Sequence, residues 1–343
     1  MKQQTSITIK DIAKALNISP STVSRALRNK PGISKKTKDQ VQQYAKEHNY
    51  KPNIMALNLR KKQSNTIGII VPQLIHHFFS SVLSGIEEKA YEEGYNLLVA
   101  QSNEQYQKEV DIVHSFLEER VCGVITSLAK ETKKYDHYQE LIDHNIPIVF
   151  YDRICTEVQT ERVVVDDYAG SFAAVEHMIL TGCKRILFYS AAPHLEISKN
   201  RRNGYIDAMS KYKIPVTSEM IVFCDNKQQA MQITPTILES EHRPDGFFAI
   251  NDETASGILW SCKEMGFKVP DEISICGFTG GAIAQNTDPP LTTVDQHGED
   301  VGRQTIELLL NRIRQGDQAE TTNRIIRTEL LIRGTTKSIK DKI

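Results

Sequence analysis

Near its N-terminus the chain has the sequence Ser19-Pro20-Ser21-Thr22-Val23-Ser24-Arg25-Ala26-Leu27. Ser19 can cap a helix because its hydroxyl can accept a hydrogen bond from the first turn. Pro20 suits the first helical position, where the N–H that proline lacks would have no partner within the helix. Val23, Ala26 and Leu27 follow the spacing of one helical face. The sequence therefore predicts a short amphipathic helix with a buried apolar side.

Two further helices are predicted around this one. Thr8 can cap the preceding helix and Ser34 the following one, and a loop containing Pro31-Gly32 separates the second helix from the third. The residues expected on the buried faces of these two helices are Ile9, Ile12, Ala13, Leu16, Val41, Tyr44, Ala45 and His48. Two helices joined by a tight turn, with a third completing the core, are typical of a helix-turn-helix module.

Basic residues are concentrated in this part of the chain. Residues 1–62 hold 14 Lys and Arg but only 3 Asp and Glu, whereas the rest of the chain holds 28 basic and 40 acidic residues. An excess of positive charge on a separate domain indicates binding to a polyanion such as DNA. A basic segment without function is the alternative.

The outward side chains of the second helix are expected to enter the major groove of double-stranded DNA. Hydroxyl groups can reach phosphates or base edges, and Arg25 can pair with guanine through two hydrogen bonds. The residues predicted to bind DNA from this part of the chain are Thr8, Ser19, Pro20, Ser21, Thr22, Ser24, Arg25 and Asn29. A generic three-helix bundle with a solvated polar face is the alternative.

Beyond residue 65 apolar strand segments alternate with amphipathic helices as far as Arg314. Such strands indicate parallel sheets covered on both faces, and the segment is too long for one open sheet. We therefore expect an α/β chain with a helix-turn-helix head (1–50), a linking stretch (51–65) and two doubly wound parallel-sheet lobes (66–343), which resemble a periplasmic binding protein. The first lobe is predicted to hold about 66–162 and 295–322, and the second about 163–294 and 323–336.

Several stretches closely resemble the lactose-repressor (LacI/GalR) family of bacterial transcription regulators. They are Thr8–Ala13, Ser21–Leu27, Asn49–Asn53, Thr66–Pro72, Tyr151–Arg153, Asn251–Asp252 and Leu291–Val294. The resemblance covers almost the whole chain. It implies a homodimeric repressor, or alternatively an activator, on a palindromic DNA operator. It also implies control by a small-molecule effector, a sugar or related metabolite, bound in the cleft between the lobes.

The resemblance assigns base reading to Pro20, Ser21 and Arg25, and insertion into the minor groove to Leu59 of a hinge helix within 51–65. Pro20 offers only apolar contact, such as with a thymine methyl group. Leu57 replaces an arginine that family members often have in the hinge, and Arg60 remains to contact the DNA backbone. For Leu59, a linker leucine without this role is the alternative.

In the cleft, the resemblance places effector contacts at Phe78, Phe79, Ser127, Arg201 and Asp252. Arg201 and Asp252 can each bind a pair of hydroxyl groups, and either phenylalanine can pack on a sugar or base. The alternatives are a phenylalanine in the core, an arginine pair on the surface and an aspartate that only caps its helix.

Two positions depart from the family pattern. Thr279 stands where the family usually has an aspartate that contacts the ligand, and Asn226 where it has an aromatic side chain. Both are kept as predicted effector contacts. They imply that the chemistry of this cleft differs from that of the best-known members.

Other classes of function are disfavoured. No catalytic residues stand at a known spacing, so we expect neither an enzyme nor a cofactor. His76-His77 lacks a third metal ligand, and the six cysteines are scattered singly, as in a reducing cytoplasm. No apolar run is long enough for a membrane span and no signal segment is recognised. These features favour a cytoplasmic regulator over a ligand-binding protein without a DNA role.

Overall fold

The computed structural model describes residues 7–48, 50, 64–316 and 321–338. The chain separates into two compact units, residues 1–64 and 65–343, which are called the head and the body below. In the head, helix α1 spans Ile9–Ala15, α2 spans Pro20–Leu27 and α3 spans Lys35–Glu47. The helix-turn-helix prediction is confirmed.

Side-chain caps begin all three helices of the head. Thr8, Ser19 and Ser34 each accept a hydrogen bond from a backbone N–H in the first turn. In α1 the backbone N–H of Thr8 also donates to the Asp11 carboxylate at 2.9 Å. The residues fully buried at the centre of the head are Ile12, Val23, Ala26 and Val41. Capping and this small core explain why helices too short to be stable alone persist here.

The prediction that His48 is buried is wrong. His48 is exposed, and its ring stacks on Tyr44 with the centroids 4.0 Å apart. Because α3 ends at Glu47, His48 caps the helix and does not continue its apolar face.

The first lobe of the body contains one six-stranded sheet. Its strands are β1 (Thr66–Val71), β2 (Asn96–Gln101), β3 (Gly123–Thr126), β4 (Ile148–Tyr151), β5 (Glu161–Val165) and β11 (Asn323–Ile326). They are all parallel, in the order β11-β5-β4-β3-β1-β2. The helices of this lobe are α4 (His77–Glu92), α5 (Tyr106–Glu118), α6 (Asp136–Asp143) and α12 (Gly298–Gln315). The last helix returns to pack on α4, and a Cβ at Gly302 would lie only 2.1 Å from the Val82 carbonyl oxygen.

The second lobe repeats this plan. Its strands are β6 (Ile186–Ser190), β7 (Ile221–Phe223), β8 (Gly246–Ala249), β9 (Ser274–Thr279), β10 (Thr292–Asp295) and β12 (Glu329–Leu331). Their order is β12-β10-β9-β8-β6-β7, and only β12 pairs antiparallel. The helices are α7 (Asp167–Leu180), α8 (Glu196–Lys211), α9 (Lys227–Leu238), α10 (Asp252–Glu264) and α11 (Ala282–Asn286). Two doubly wound lobes are therefore confirmed.

The predicted division between the lobes is wrong at two places. Strand β5 pairs with β4 in the first sheet, so the chain leaves the first lobe after Val165 and not at residue 163. Strand β11 pairs with β5, so 323–326 also belongs to the first lobe. The residues of a short strand do not reveal which of two sheets it joins, because the backbone of either sheet can pair with it.

No helix in the described ranges is long and apolar enough to cross a lipid bilayer.

Candidate functional site

The polar face of α2 carries a cluster of hydroxyl groups. Ser19 Oγ lies 2.7 Å from Ser21 Oγ and 2.8 Å from Thr22 Oγ1. Ser19 also accepts the backbone N–H of Thr22 at 3.1 Å, which begins the helix. Pro20, Ser21 and Arg25 are exposed. The start of α2 thus presents short polar groups to solvent, as a recognition helix needs.

Arg25 and Ser24 differ in how they are presented. Arg25 donates through Nη2 to the Pro31 carbonyl oxygen at 3.0 Å, so the loop after α2 holds part of its guanidinium. Ser24 is only 8% exposed, so it does not point outward as predicted, and its contact with DNA stays a prediction. It lies beside Val23 on the side of α2 that faces the core.

The remaining predicted DNA contacts have structural roles or lie outside the described residues. Thr8 is the cap of α1. Asn29 has a left-handed backbone (φ 55°), and its Oδ1 accepts a hydrogen bond from Gln42 at 3.2 Å. Leu59 and Arg60 fall within 51–63, which the structure does not describe.

A cleft of about 630 Å³, solvent at its mouth included, lies between the lobes of the body at the carboxyl ends of the strands. In doubly wound sheets this edge is where ligands bind. Of the predicted effector contacts, Phe78, Phe79, Arg201 and Thr279 line it. Ser127 and Asn226 do not. Asn226 instead caps α9 by accepting the backbone N–H of Gln229 at 2.9 Å.

Asp252 does not line the cleft either, because its carboxylate is used within the second lobe. Oδ2 accepts the backbone N–H groups of Gly280 (3.0 Å) and Gly281 (3.2 Å), and Oδ1 accepts the Thr293 hydroxyl (2.5 Å). The cap of α10 is Asn251, so the capping alternative for Asp252 is also wrong. Burial raises the pKa of Asp252 to about 6, although these hydrogen bonds lower it. Asp252 therefore positions the loop at Gly280-Gly281, which directly follows Thr279, the last residue of β9.

Arg201 is held rigidly at the base of the cleft and is only 3% exposed. Its Nε donates to Asp167 Oδ1 at 2.7 Å and its Nη1 to the Ile250 carbonyl oxygen at 2.5 Å. Its guanidinium carbon lies 3.7 Å from the centre of the Phe278 ring. Burial raises the pKa of Asp167 to about 6 despite the opposing effect of Arg201. The alternative of a surface arginine pair is wrong, since only Arg202 is exposed.

Sequence reasoning missed most of the polar lining. The residues concerned are Lys130, Asp152, Arg153, Asp225, Glu253 and Gln296. Asp152-Arg153 and Gln296 directly follow β4 and β10, and Asp225 follows β7 with only Cys224 between them. The sequence therefore contained a signal for these lining residues, because polar side chains at the carboxyl ends of parallel strands meet at one edge of the sheet.

Among the described residues, two close side-chain contacts join the lobes across the cleft. Lys130 Nζ of the first lobe lies 2.8 Å from Asp225 Oδ2 of the second. His76 Nδ1 lies 2.7 Å from Glu253 Oε1, and its Nε2 lies 2.7 Å from Gln73 Oε1. These contacts are partly buried, so solvent screens them less than surface pairs. The described residues contain no cluster of three His, Cys, Asp or Glu that could hold a metal ion.

Two buried N–H donors in the lining have no hydrogen-bond partner among the residues described. They are the side-chain Nε2 of Gln296 and the Nε of Arg153. As whole residues, Gln296 is 3% exposed and Arg153 is 8% exposed. A buried donor without a partner costs about 1–3 kcal/mol, so a ligand that accepts from it is favoured. The cleft therefore offers hydrogen-bond donors to a bound molecule.

The chain matches known families over both units. The model described as "Bacterial regulatory proteins, lacI family" matches residues 8–53, and that of a periplasmic binding protein-like domain matches residues 175–336. The HTH-type transcriptional repressor CytR of Escherichia coli (strain K12) is 31% identical over 98% of this chain and 98% of its own length. The ribose operon repressor of Halalkalibacterium halodurans is 31% identical over 96% of this chain and 97% of its own.

A solved structure agrees at the level of the fold. The lac repressor dimer bound to operator and the anti-inducer ONPF matches with a TM-score of 0.86 and 24% identity, over 97% of this chain and 100% of that chain. The relatives that are 31% identical over almost the whole chain show that the chain belongs to the lacI family of bacterial regulatory proteins.

Proposed function

We propose that the protein represses transcription in the cytoplasm as a homodimer on a palindromic operator, and that a small molecule in the cleft controls it. The single observation that carries this proposal is the combination within one chain of a helix-turn-helix head and a cleft with buried, unpartnered donors. The names of CytR and the ribose operon repressor support repression over activation, and a regulator over an enzyme.

The head supplies recognition of DNA. Each head of a two-fold dimer contacts one half-site, so the operator has matching symmetry. The hydroxyl groups at the start of α2 bind phosphates or base edges, and Arg25 reads guanine when DNA displaces its contact with Pro31. The basic balance of residues 1–62 makes this binding strongly dependent on salt.

The body supplies control. A ligand in the cleft contacts both lobes, and it competes with or reinforces the interlobe pairs Lys130–Asp225 and His76–Glu253. Its differential affinity for two lobe arrangements shifts their populations. We propose that the hinge helix within 51–65 responds to this shift, and that Leu59 enters the minor groove at a flexible pyrimidine–purine step.

The test is selection of random duplex DNA by the full-length protein, followed by sequencing. We expect enrichment of a palindrome with a pyrimidine–purine step at its centre. A matched selection with Arg25→Ala should lose information at one position in each half-site while keeping the palindrome. Salt-sensitive binding without any enriched sequence, with and without a metabolite extract, would contradict the proposed function.

A further inference from the structure

Every lysine and arginine in the described lining of the cleft is already paired with a carboxylate. Lys130 lies 2.8 Å from Asp225, Arg153 lies 2.7 Å from Glu104, and Arg201 lies 2.7 Å from Asp167. These pairs are partly or fully buried. No lysine or arginine in the described lining is therefore left to neutralise an incoming anion.

Carboxylates outnumber cations around the cleft. Asp152 and Glu253 line it in addition to Asp225, and Glu104 and Asp167 pair with lining arginines from behind. Five carboxylates thus stand beside three lysine or arginine side chains. Burial raises the pKa of Asp152 and of Asp167, in Asp167 to about 6, and the charges of Arg153 and Arg201 oppose that rise. The local field is therefore unfavourable to a negatively charged ligand.

The apolar part of the lining comes from both lobes. Phe78 and Phe79 contribute from the first lobe, with their ring centroids 5.6 Å apart. Leu195, Ile197 and Ile250 contribute from the second. A ligand held between these walls needs an apolar face as well as groups that accept hydrogen bonds from Gln296 and Arg153.

From these observations we infer that the effector is an uncharged, unphosphorylated metabolite with hydroxyl or carbonyl groups and an apolar face, and that the cleft excludes phosphate esters. This inference rests on the proposed function and names the chemistry of its effector. A phosphate group could accept from Arg153 Nε or Gln296 Nε2, but it would then lie beside these carboxylates, and to gain a counterion of its own it would have to displace one of them from its lysine or arginine. The displaced carboxylate would then be buried without a counterion, which is strongly unfavourable.

The test uses matched ligand pairs and the full-length protein. Ribose and ribose 5-phosphate, glucose and glucose 6-phosphate, and adenosine and its monophosphate are compared by calorimetry, with inorganic phosphate as a probe. We expect any binding compound to be the uncharged member of its pair, and its phosphate ester to bind at least about 100-fold more weakly. Inorganic phosphate at millimolar concentration should not bind in the cleft.

Two variants should create phosphate binding. Glu104→Gln removes the nearest carboxylate of Arg153 and leaves only Asp152, at 3.9 Å. Asp225→Asn, in the other lobe, removes the nearest carboxylate of Lys130 and leaves only Glu104, at 4.0 Å. Each variant also removes one negative charge. Glu88→Gln is the matched control, because it removes a carboxylate on α4 that forms an exposed pair with Arg303 of α12. We expect saturable binding of inorganic phosphate in the first two variants and none beyond the wild type in the control.

Phosphate can also bind to basic surfaces outside the cleft, so a further variant shows whether any phosphate binding takes place in the cleft. Saturable phosphate binding by the wild type that disappears in Arg153→Met would overturn the inference, as would a phosphate ester that binds as tightly as its parent. If operator binding responds only to a phosphate ester, the inference fails but the proposed function stands. If operator binding responds to no compound or cell extract while phosphate behaves as expected, the proposed function fails and the inference about the cleft stands.

Discussion

The head and the cleft organise their functional side chains in opposite ways. In the head, the polar groups that would contact DNA are exposed and form hydrogen bonds with residues close in sequence. Ser19 bonds with residues two and three positions away, and Arg25 bonds with a residue six positions away. In the cleft, the polar groups are buried and paired across the fold, and His76 and Glu253 are 177 positions apart. Removing Arg25, which caps no helix, should therefore affect mainly binding, whereas removing a paired side chain in the cleft should affect both binding and stability.

The largest effect is expected at Arg201. Arg201→Ala should lower the free energy of unfolding by about 3 kcal/mol or more, because Asp167 would lose its counterion in a buried site. It should also abolish the response of operator binding to effector while leaving binding of the operator itself intact. Denaturant unfolding and operator titrations measure the two effects. Arg202→Ala, at the exposed neighbouring position, is the control, and a retained effector response would remove Arg201 from the site.

A second prediction concerns the dimer interface. Strand β2 is an edge of the first sheet, and its Leu98 and Val99 are 36% and 37% exposed. We propose that this edge lies in the dimer interface. Val99→Lys would place two cations at a two-fold interface and should weaken dimerisation about 100-fold, or by about 2.7 kcal/mol.

Analytical ultracentrifugation tests this prediction. The control is Ile325→Lys on β11, the opposite edge of the same sheet, where Ile325 is 66% exposed. Loss of the dimer in the control alone would move the interface to the other edge.

The third prediction uses pH to separate positioning from binding. Burial raises the pKa of Asp252 to about 6, so the folded state holds this proton more tightly than the unfolded chain. The free energy of unfolding should therefore fall, by an amount on the order of 2 kcal/mol from this group, as the pH rises from about 4 to about 6. Asp252→Asn should remove that part of the pH dependence.

Thermal unfolding between pH 4 and pH 7 measures the difference between the wild type and Asp252→Asn. Asp288→Asn, whose side chain is 96% exposed, is the matched control and should leave the profile unchanged. A profile for Asp252→Asn that parallels the wild type would show that this carboxyl does not titrate in the range.

The smallest effect is expected at Arg25. Arg25→Ala should cost about 1–3 kcal/mol on the cognate operator, with little change in stability, because Arg25 is exposed. Competition binding with operators changed at each position provides the measurement. An equal loss on every DNA sequence would show a phosphate contact rather than base reading.

Local patterns were sufficient for the head. The caps at Thr8, Ser19 and Ser34, and the apolar spacing of Val23 and Ala26, depend on residues within one or two turns. Errors arose where a side chain lay at the margin of such a pattern: Ser24 lies on the core side of α2, and His48 lies one residue past the end of α3.

In the body, the alternation of apolar strands and amphipathic helices was enough to predict two doubly wound lobes. Membership of a sheet was not predictable for Val163–Val165, because an apolar strand pairs equally well with either sheet. The role of Asp252 was not predictable either, since its partners Gly280, Gly281 and Thr293 are close only after β9 and β10 have paired.

The sequence alone therefore determined the class of protein: a basic helix-turn-helix head, two α/β lobes and the positions of Phe78, Phe79 and Arg201 in the cleft. The charge state of that cleft was determined by the tertiary structure. A charged residue in a sequence has no counterion until folding brings one to it, and the pairs Arg153–Glu104 and Lys130–Asp225 join segments far apart in the chain. Whether a cation is free for a ligand depends on distances that no local pattern encodes.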